Sequence, residues 1–323
     1  MPGRKGVMKR NIAVISACLF LLLSANPASA IPTVLDVLSD VSQSTYTNYL
    51  DNMLYTHLGD DRGVSGAEHD LARDNIYSVF SGFGLTTSYN PFQYNGYSGN
   101  NVIGIHQGKT RPNDIYIIGA HYDSLNNPGA DDNASGTAGV LEAARILSGY
   151  DFEATLVFIA FDREEQGLYG SRVYAQQHAG DNILGMVSLD MIAYNDGSDR
   201  ARIYGSINSN PFKNSLADAV EAYGNGLGAI DSGKLDASDH APFEWQGFQA
   251  ALLIEYGVWS NPYYHKAADS VDTLNYIDYA YATNMVCSTV GFFTDNAVLI
   301  PEPASMMILI IGTAFIRLKR KAA

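Results

Sequence analysis

Four stretches of this chain are apolar almost without a break: "DIYIIGA" (114–120), "EATLVFIAF" (153–161), "ILGMVSLDMIAY" (183–194) and "FQAALLIEY" (248–256). A strand with one wet face alternates apolar and polar residues, so continuous runs of this kind predict strands covered on both faces. Helical spacing fills the gaps between them, over Gly136–Ser148, Leu168–Gln177, Asn210–Tyr223 and a short piece near Ala241–Trp245. Two helices, Val34–Leu58 and Ala67–Phe80, and extended segments at Thr87–Tyr94 and Asn101–Gln107 are expected before this series, and a helix at Tyr276–Asp295 after it. Strands alternating with helices predict an α/β fold: a three-layer αβα sandwich around a mostly parallel central sheet. Residues 31–297 read as one domain, with 31–60 as a helical N-terminal extension.

In such a sheet, ligands bind beyond the carboxyl ends of the strands. "DIYIIGA" runs into His121, Asp123 and Asp132; "ATLVFIAF" into Asp162, Glu164 and Glu165; "GMVSL" into Asp190; "ALLIEYG" into "NPYYHKAAD" with His265. Acids and histidines from segments far apart in sequence therefore gather at one edge, as a cation site requires. Two imidazoles, several carboxylates and no thiolate suit zinc, or another first-row ion such as manganese or cobalt. Calcium would take oxygen alone. The acids outnumber what one catalytic zinc needs, and two ions sharing a carboxylate account for the surplus. No "HExxH" helix is present.

The net charge of −14 understates the acidity of the body, because eight cations (Arg4, Lys5, Lys9, Arg10, Arg317, Lys319, Arg320, Lys321) sit at the two extremes of the chain. Nothing in that body would neutralise phosphates, which argues against nucleic acid. Once a leader carrying Cys18 is removed, Cys287 is the sole thiol, so no internal disulfide can form; it sits in an apolar helical pattern as a core residue.

The motifs "GAHYDS", "PGADDNASG", "EEQGLYGS", "LDM" and "YHKAAD" closely resemble, in order and spacing, those of the co-catalytic zinc aminopeptidases, the secreted bacterial leucyl-type members of peptidase family M28. The resemblance covers essentially residues 60–295. It implies a zinc exopeptidase fold of the phosphorylase/peptidase type, two Zn2+ ions, and peptide substrates with a free N-terminus. It implies His121 and Asp190 on one ion, Glu165 and His265 on the other, and Asp132 bridging them; Asp131 is the neighbouring alternative, and counting back from "ASG" favours Asp132. Glu164 would be the general base. Asp123 would accept the second N–H of His121, and Asp239 in "SDHAPF" would do the same for His265. Tyr264 would donate to the oxyanion, and the peptide bond Asp132–Asn133 would be cis.

Other residues have plainer expectations. His240 reads as structural, His57, His69, His106 and His178 as surface or core, and Asp131 as the extra acid of a solvated turn. A glutaminyl cyclase-like acyltransferase, or a catalytically silent surface or matrix protein on the same fold, is the alternative to a peptidase. A carboxypeptidase would need cations to grip a terminal carboxylate, and Arg200 and Arg202 are the local candidates.

Both ends read as address labels. Basic residues, the apolar run "IAVISACLFLLLS" and then "ANPASA" form the pattern of a secretory signal peptide, residues 1–30, with cleavage after Ala30. Residues 298–323 hold "PEP", a 13-residue apolar stretch from Ala304 to Ile316 and a basic tail. The stretch is shorter than the ~20 residues that span a bilayer comfortably. It resembles the PEP-CTERM sorting signal of Gram-negative bacteria, which implies an exosortase-type partner at the inner membrane. The expectation is an exported protein, transiently anchored through its C-terminus and then at the cell surface or outside it.

Overall fold

Adjacent residues of the apolar runs part company in space: Ile118 belongs to one core and Ile117 to another, and Phe158 and Ile159 divide in the same way. That division is why the runs lack polar alternation. The structure, a computed structural model, describes residues 32–300. The expected leader and all but the first three residues of the expected sorting segment lie outside the described residues. Those three pair with the domain instead, through a bridge between Phe152 and Leu299. Among the described residues no helix is long and apolar enough to cross a membrane.

Helices α1 (Val34–Leu38), α2 (Gln43–Asn52) and α3 (His69–Gly82) precede strands β1 (Thr86–Tyr94), β2 (Tyr97–His106) and β3 (Arg111–His121). A wide turn, Ala130–Ser135, leads into α4 (Gly136–Leu147). Then follow β4 (Ala154–Phe161), α5 (Tyr169–Gln177), β5 (Asn182–Leu189), β6 (Arg200–Tyr204), α6 (Asn210–Tyr223), β7 (Gly228–Asp231), α7 (His240–Trp245), β8 (Ala250–Glu255) and α8 (Tyr279–Ala297). The strands form one sheet in the order β1-β2-β4-β3-β5-β8-β6-β7. Its centre, β4-β3-β5-β8, is parallel, while β2 and β6 join it antiparallel. One face buries α1–α4, α6 and α8; α5 and α7 cover the other. The expected α/β sandwich is therefore present, and the carboxyl ends of β3, β4, β5 and β8 open at one edge.

Several boundaries differ from expectation for identifiable reasons. The single helix expected over Val34–Leu58 is two helices and a loop. Ser42 starts a new helix by accepting the N–H of Thr45, and the buried Glu142 accepts the N–H of Ser42 at 2.8 Å. The strand expected to reach Tyr194 stops at Leu189. Helix α8 begins at Tyr279 rather than Tyr276 because Asp278 accepts the N–H groups of Ala280 and Tyr281. Strands β6 and β7, five and four residues long, carry too little apolar pattern to be seen.

The segment before α3 is built into the main core: Val37, Tyr46, Leu50 and Leu54 are fully buried there, and the Tyr46 hydroxyl donates to the Ser135 carbonyl at 3.1 Å. Leu50→Ala is expected to destabilise the protein by about 2–5 kcal/mol through lost burial plus a cavity. Urea denaturation followed by circular dichroism reads this directly. A removable cover, by contrast, would leave the unfolding midpoint of the body unchanged.

Candidate metal centre

His121 is the last residue of β3, 1 % exposed. Its Nδ1 lies 3.0 Å from the Asp123 carbonyl oxygen. A carbonyl only accepts, so Nδ1 carries a proton and Nε2 is the nitrogen turned toward the site, where it would ligate an ion once it has given up its own proton. Asp132 stands in the wide turn, where the Asp132–Asn133 peptide bond is cis. Its two oxygens diverge: Oδ1 lies 3.4 Å from His121 Nε2 and Oδ2 lies 3.1 Å from His265 Nε2. Asp190, just past β5, places Oδ1 3.6 Å from His121 Nε2, and Glu165, past β4, places Oε2 3.5 Å from His265 Nε2. Two triads result, His121–Asp132–Asp190 and Asp132–Glu165–His265, joined at Asp132.

These separations are long for hydrogen bonds, whose optimum is about 2.9 Å. They match ligand atoms around a tetrahedral ion, which bonds of about 2.0–2.1 Å hold roughly 3.4 Å apart. Glu165 Oε1 is buried with no hydrogen-bond partner, a costly state for a carboxylate oxygen that lacks a cation. The electrostatics agree. Burial, aided by the charge of Asp132, pushes the Glu165 carboxyl up to about 9. Burial also raises Glu164 well above the carboxylate range, with Asp190, Asp239 and Glu165 adding to it. Burial works against a charge on Asp132 as well, but His121 and His265 outweigh it and hold that carboxyl at about 2. Without a cation, Glu164 and Glu165 favour their protonated forms.

The other expected residues fall as follows. Glu164 belongs to neither triad; its Oε2 stands 3.9 Å from His121 Nε2. Tyr264 lies against the His265 ring, centroids 3.8 Å apart, and burial plus the surrounding acids push its hydroxyl up, so it stays a donor. The Asp123 carboxylate does not receive the imidazole proton: Oδ1 is 3.6 Å from His121 Nδ1. The chain has left the strand after His121, so the same-side rule for residues two apart no longer applies. The carboxylate instead accepts the N–H groups of Glu164 and Glu165, at 3.1 and 3.3 Å, and so fixes the turn that presents both glutamates. Neither oxygen of the buried Asp239 has a hydrogen-bond partner, so it does not hold His265. Asp162 turns away, bonding His69 Nε2 at 2.9 Å and the N–H of Asn100 at 2.8 Å. His240 stands outside both triads, fully buried, and burial lowers it to about 4. Asp131 is not a solvated turn acid: it is fully buried and accepts from the Ala193 N–H and from Asn261.

Sequence reasoning passed over Asp269, the last residue of the quoted "YHKAAD". Its carboxylate accepts the N–H groups of Asp131 at 2.7 Å and Asp132 at 3.0 Å. The loop carrying His265 is thereby tied to the turn carrying Asp132. Beside the triads opens a cavity of about 480 Å³, counting the solvent at its mouth, whose far wall is apolar: Leu235, Leu252, Ile254, Val258 and Trp259.

Two acid–histidine groups that could hold metal ions thus stand at the carboxyl ends of the central strands of an α/β sandwich. The profile of peptidase family M28 matches residues 101–290, and the chain belongs to that family. The aminopeptidase YwaD of Bacillus subtilis is 33% identical over 191 residues, which are 54% of this chain and 40% of that protein. The solved structure of a zinc aminopeptidase from B. subtilis superposes with a TM-score of 0.56 at 27% identity, covering 66% of this chain and 53% of the other. A glutaminyl cyclase from Bacteroides thetaiotaomicron reaches 0.67 at 17% identity, covering 81% and 98%; this is a likeness of fold alone. The chain spans between about a quarter and a half of the length of the curated relatives it matches.

If zinc and protons compete for the same oxygens, zinc uptake by the metal-free protein at pH 7 releases protons, on the order of one or more per molecule, from Glu165 and its neighbours. Zinc affinity rises with pH until the Glu165 carboxyl, at about 9, is ionised on its own. Calorimetry in buffers of different ionisation enthalpy checks this; uptake without proton release at pH 7 contradicts it.

Proposed function

We propose that this chain is a dinuclear zinc aminopeptidase. The observation that carries the reading is the sharing of Asp132, one oxygen toward each histidine, with Glu164 beside the triads but outside both. His121, Asp190 and Asp132 would hold one zinc, and Glu165, His265 and Asp132 the other. When bound, the ions supply an acidified water and polarise the scissile carbonyl. Glu164 takes the proton of the attacking water and returns it to the leaving amine. Tyr264 donates to the carbonyl oxygen as it gains charge. Asp123 positions the two glutamates through their backbone N–H groups. The carboxylates receive the free amine of the substrate, and the apolar wall takes the side chain of its first residue, which favours leucine-like N-termini. An acyltransferase working with one ion would have no use for two complete triads. We infer, from sequence alone, that the protein is exported and sorted by an exosortase-type enzyme acting on residues 298–323.

Glu164→Gln is expected to lower kcat on leucyl-p-nitroanilide by about 10²–10⁴-fold with zinc content unchanged, and chelation followed by zinc return abolishes and restores wild-type cleavage. Leucyl substrate should exceed lysyl and aspartyl in kcat/KM. A zinc-loaded wild type that cleaves none of the panel refutes the aminopeptidase reading.

A further inference from the structure

Arg62 is the largest fully buried side chain in the described protein, and it lies outside the part of the chain matched by the family profile. Its guanidinium forms no ion pair within 4.0 Å among the described residues. It is spent on backbone carbonyls: Nε donates to Tyr122 O at 3.0 Å, Nη2 to Gly129 O at 2.8 Å, and Nη1 to Pro128 O, with Tyr55 O at 3.4 Å from the same nitrogen. The Arg62 carbonyl in turn accepts the N–H of Ser124. Every one of these contacts except Tyr55 falls in residues 122–129, the loop that joins His121 to the turn of Asp132.

The fit is close. Gly129 has φ +56°, and a Cβ there would stand 3.0 Å from Arg62 Nη2 and 2.3 Å from Asp132 O. Gly129 O also accepts the N–H of Ala134, so the carbonyl that Arg62 grips begins the turn presenting Asp132. A rigid five-donor fork suits three carbonyls on one loop; an ammonium does not. A residue buried only for packing would not need charge-assisted hydrogen bonds to three carbonyls of a single loop.

We propose that Arg62 is a positioning residue for the cation site, holding the 122–129 loop so that His121 and Asp132 stand ready for an ion before it arrives. The inference rests on those two residues being ligands. It makes the segment before α3 part of the catalytic domain rather than a cover over it.

The test measures zinc affinity of the full-length protein by competition with a chromophoric chelator, for wild type, Arg62→Met, Arg62→Lys and the core control Leu50→Ala. Loss of a group that orients ligands raises the zinc Kd about 10–100-fold. Arg62→Met should show that rise and Arg62→Lys a smaller one, while Leu50→Ala lowers the unfolding midpoint with Kd unchanged. Arg62 variants that lose stability yet keep the wild-type Kd overturn the proposal. A variant-free measurement stands beside it: the Ser124 and Ala134 amides should be protected from hydrogen exchange in the zinc-free wild type, and free exchange there also overturns it. Zinc binding without peptide cleavage sinks the aminopeptidase reading and leaves this one standing; a wild type that binds no zinc removes both.

Discussion

Four consecutive backbone N–H groups, Met191 to Tyr194, have no strand to pair with, and four side chains accept them. Asn133 Oδ1 takes Met191 at 3.1 Å, Ser135 Oγ takes Ile192 at 3.0 Å, Asp131 takes Ala193 and Glu255 takes Tyr194, both at 2.9 Å. A buried amide without a partner costs as much as a lost hydrogen bond, so these contacts are what allow β5 to end at Leu189 and release Asp190 toward the site. Asn133 also donates to Leu189 O at 2.9 Å and accepts the N–H of Gly136 at 3.0 Å. The turn of Asp132, the end of β5 and the start of α4 are thus a single hydrogen-bonded unit. Under the proposed reading, Asp132 and Asp190 share an ion because that unit fixes both.

The same network reaches the cavity beside the triads. Asn261 donates to Asp131 at 3.0 Å and to Glu255 at 3.1 Å. Burial pushes Asp131 up to about 6 and Glu255 well above the carboxylate range; Asp131 raises Glu255 further, while the hydrogen bond with Glu255 works the other way on Asp131. Asn261 follows the short turn Val258–Ser260, which contributes Val258 and Trp259 to the apolar wall. One polar core therefore sets the ligand geometry and the shape of the pocket together. A half-satisfied version of it would be worse than an apolar core.

The central sheet was legible because both of its faces are buried, and burial on both faces leaves a mark in composition that needs no knowledge of partners. The proposed ligands were legible for a related reason: each follows a strand end, and a doubly wound sheet brings strand ends together. What escaped depended on local conformation. Asp123 lies two residues beyond His121, but the strand had already ended. Asp131 beside Asp132 looked like a surplus turn acid, since nothing in "GADDN" says that Ala193 would need its oxygen. The break between α1 and α2 depends on Glu142, a hundred residues away. Arg62 gave no signal at all, because its acceptors are carbonyls and carbonyls have no sequence.

The charge balance ties these parts together. Asp132, Glu164, Glu165 and Asp190 crowd around two imidazoles, while Asp123 and Asp239 lie fully buried behind them. Arg62, also fully buried, acts on this group from a distance, through Asp269, Asp123 and Asp132. One distant cation cannot neutralise so many acids, so protons or metal ions must do the rest. The two outcomes differ for Glu164. Burial, with the neighbouring acids adding to it, gives it a high proton affinity, and cations in the neighbouring triads would draw that affinity back down toward the working pH. Under the proposed reading a general base needs that intermediate value, strong enough to take a proton from water and weak enough to pass it on. The acid surplus that first marks the site in the sequence then has a second use beyond ligation. Under that reading it adds to burial in raising Glu164, against the opposing pull of the bound cations.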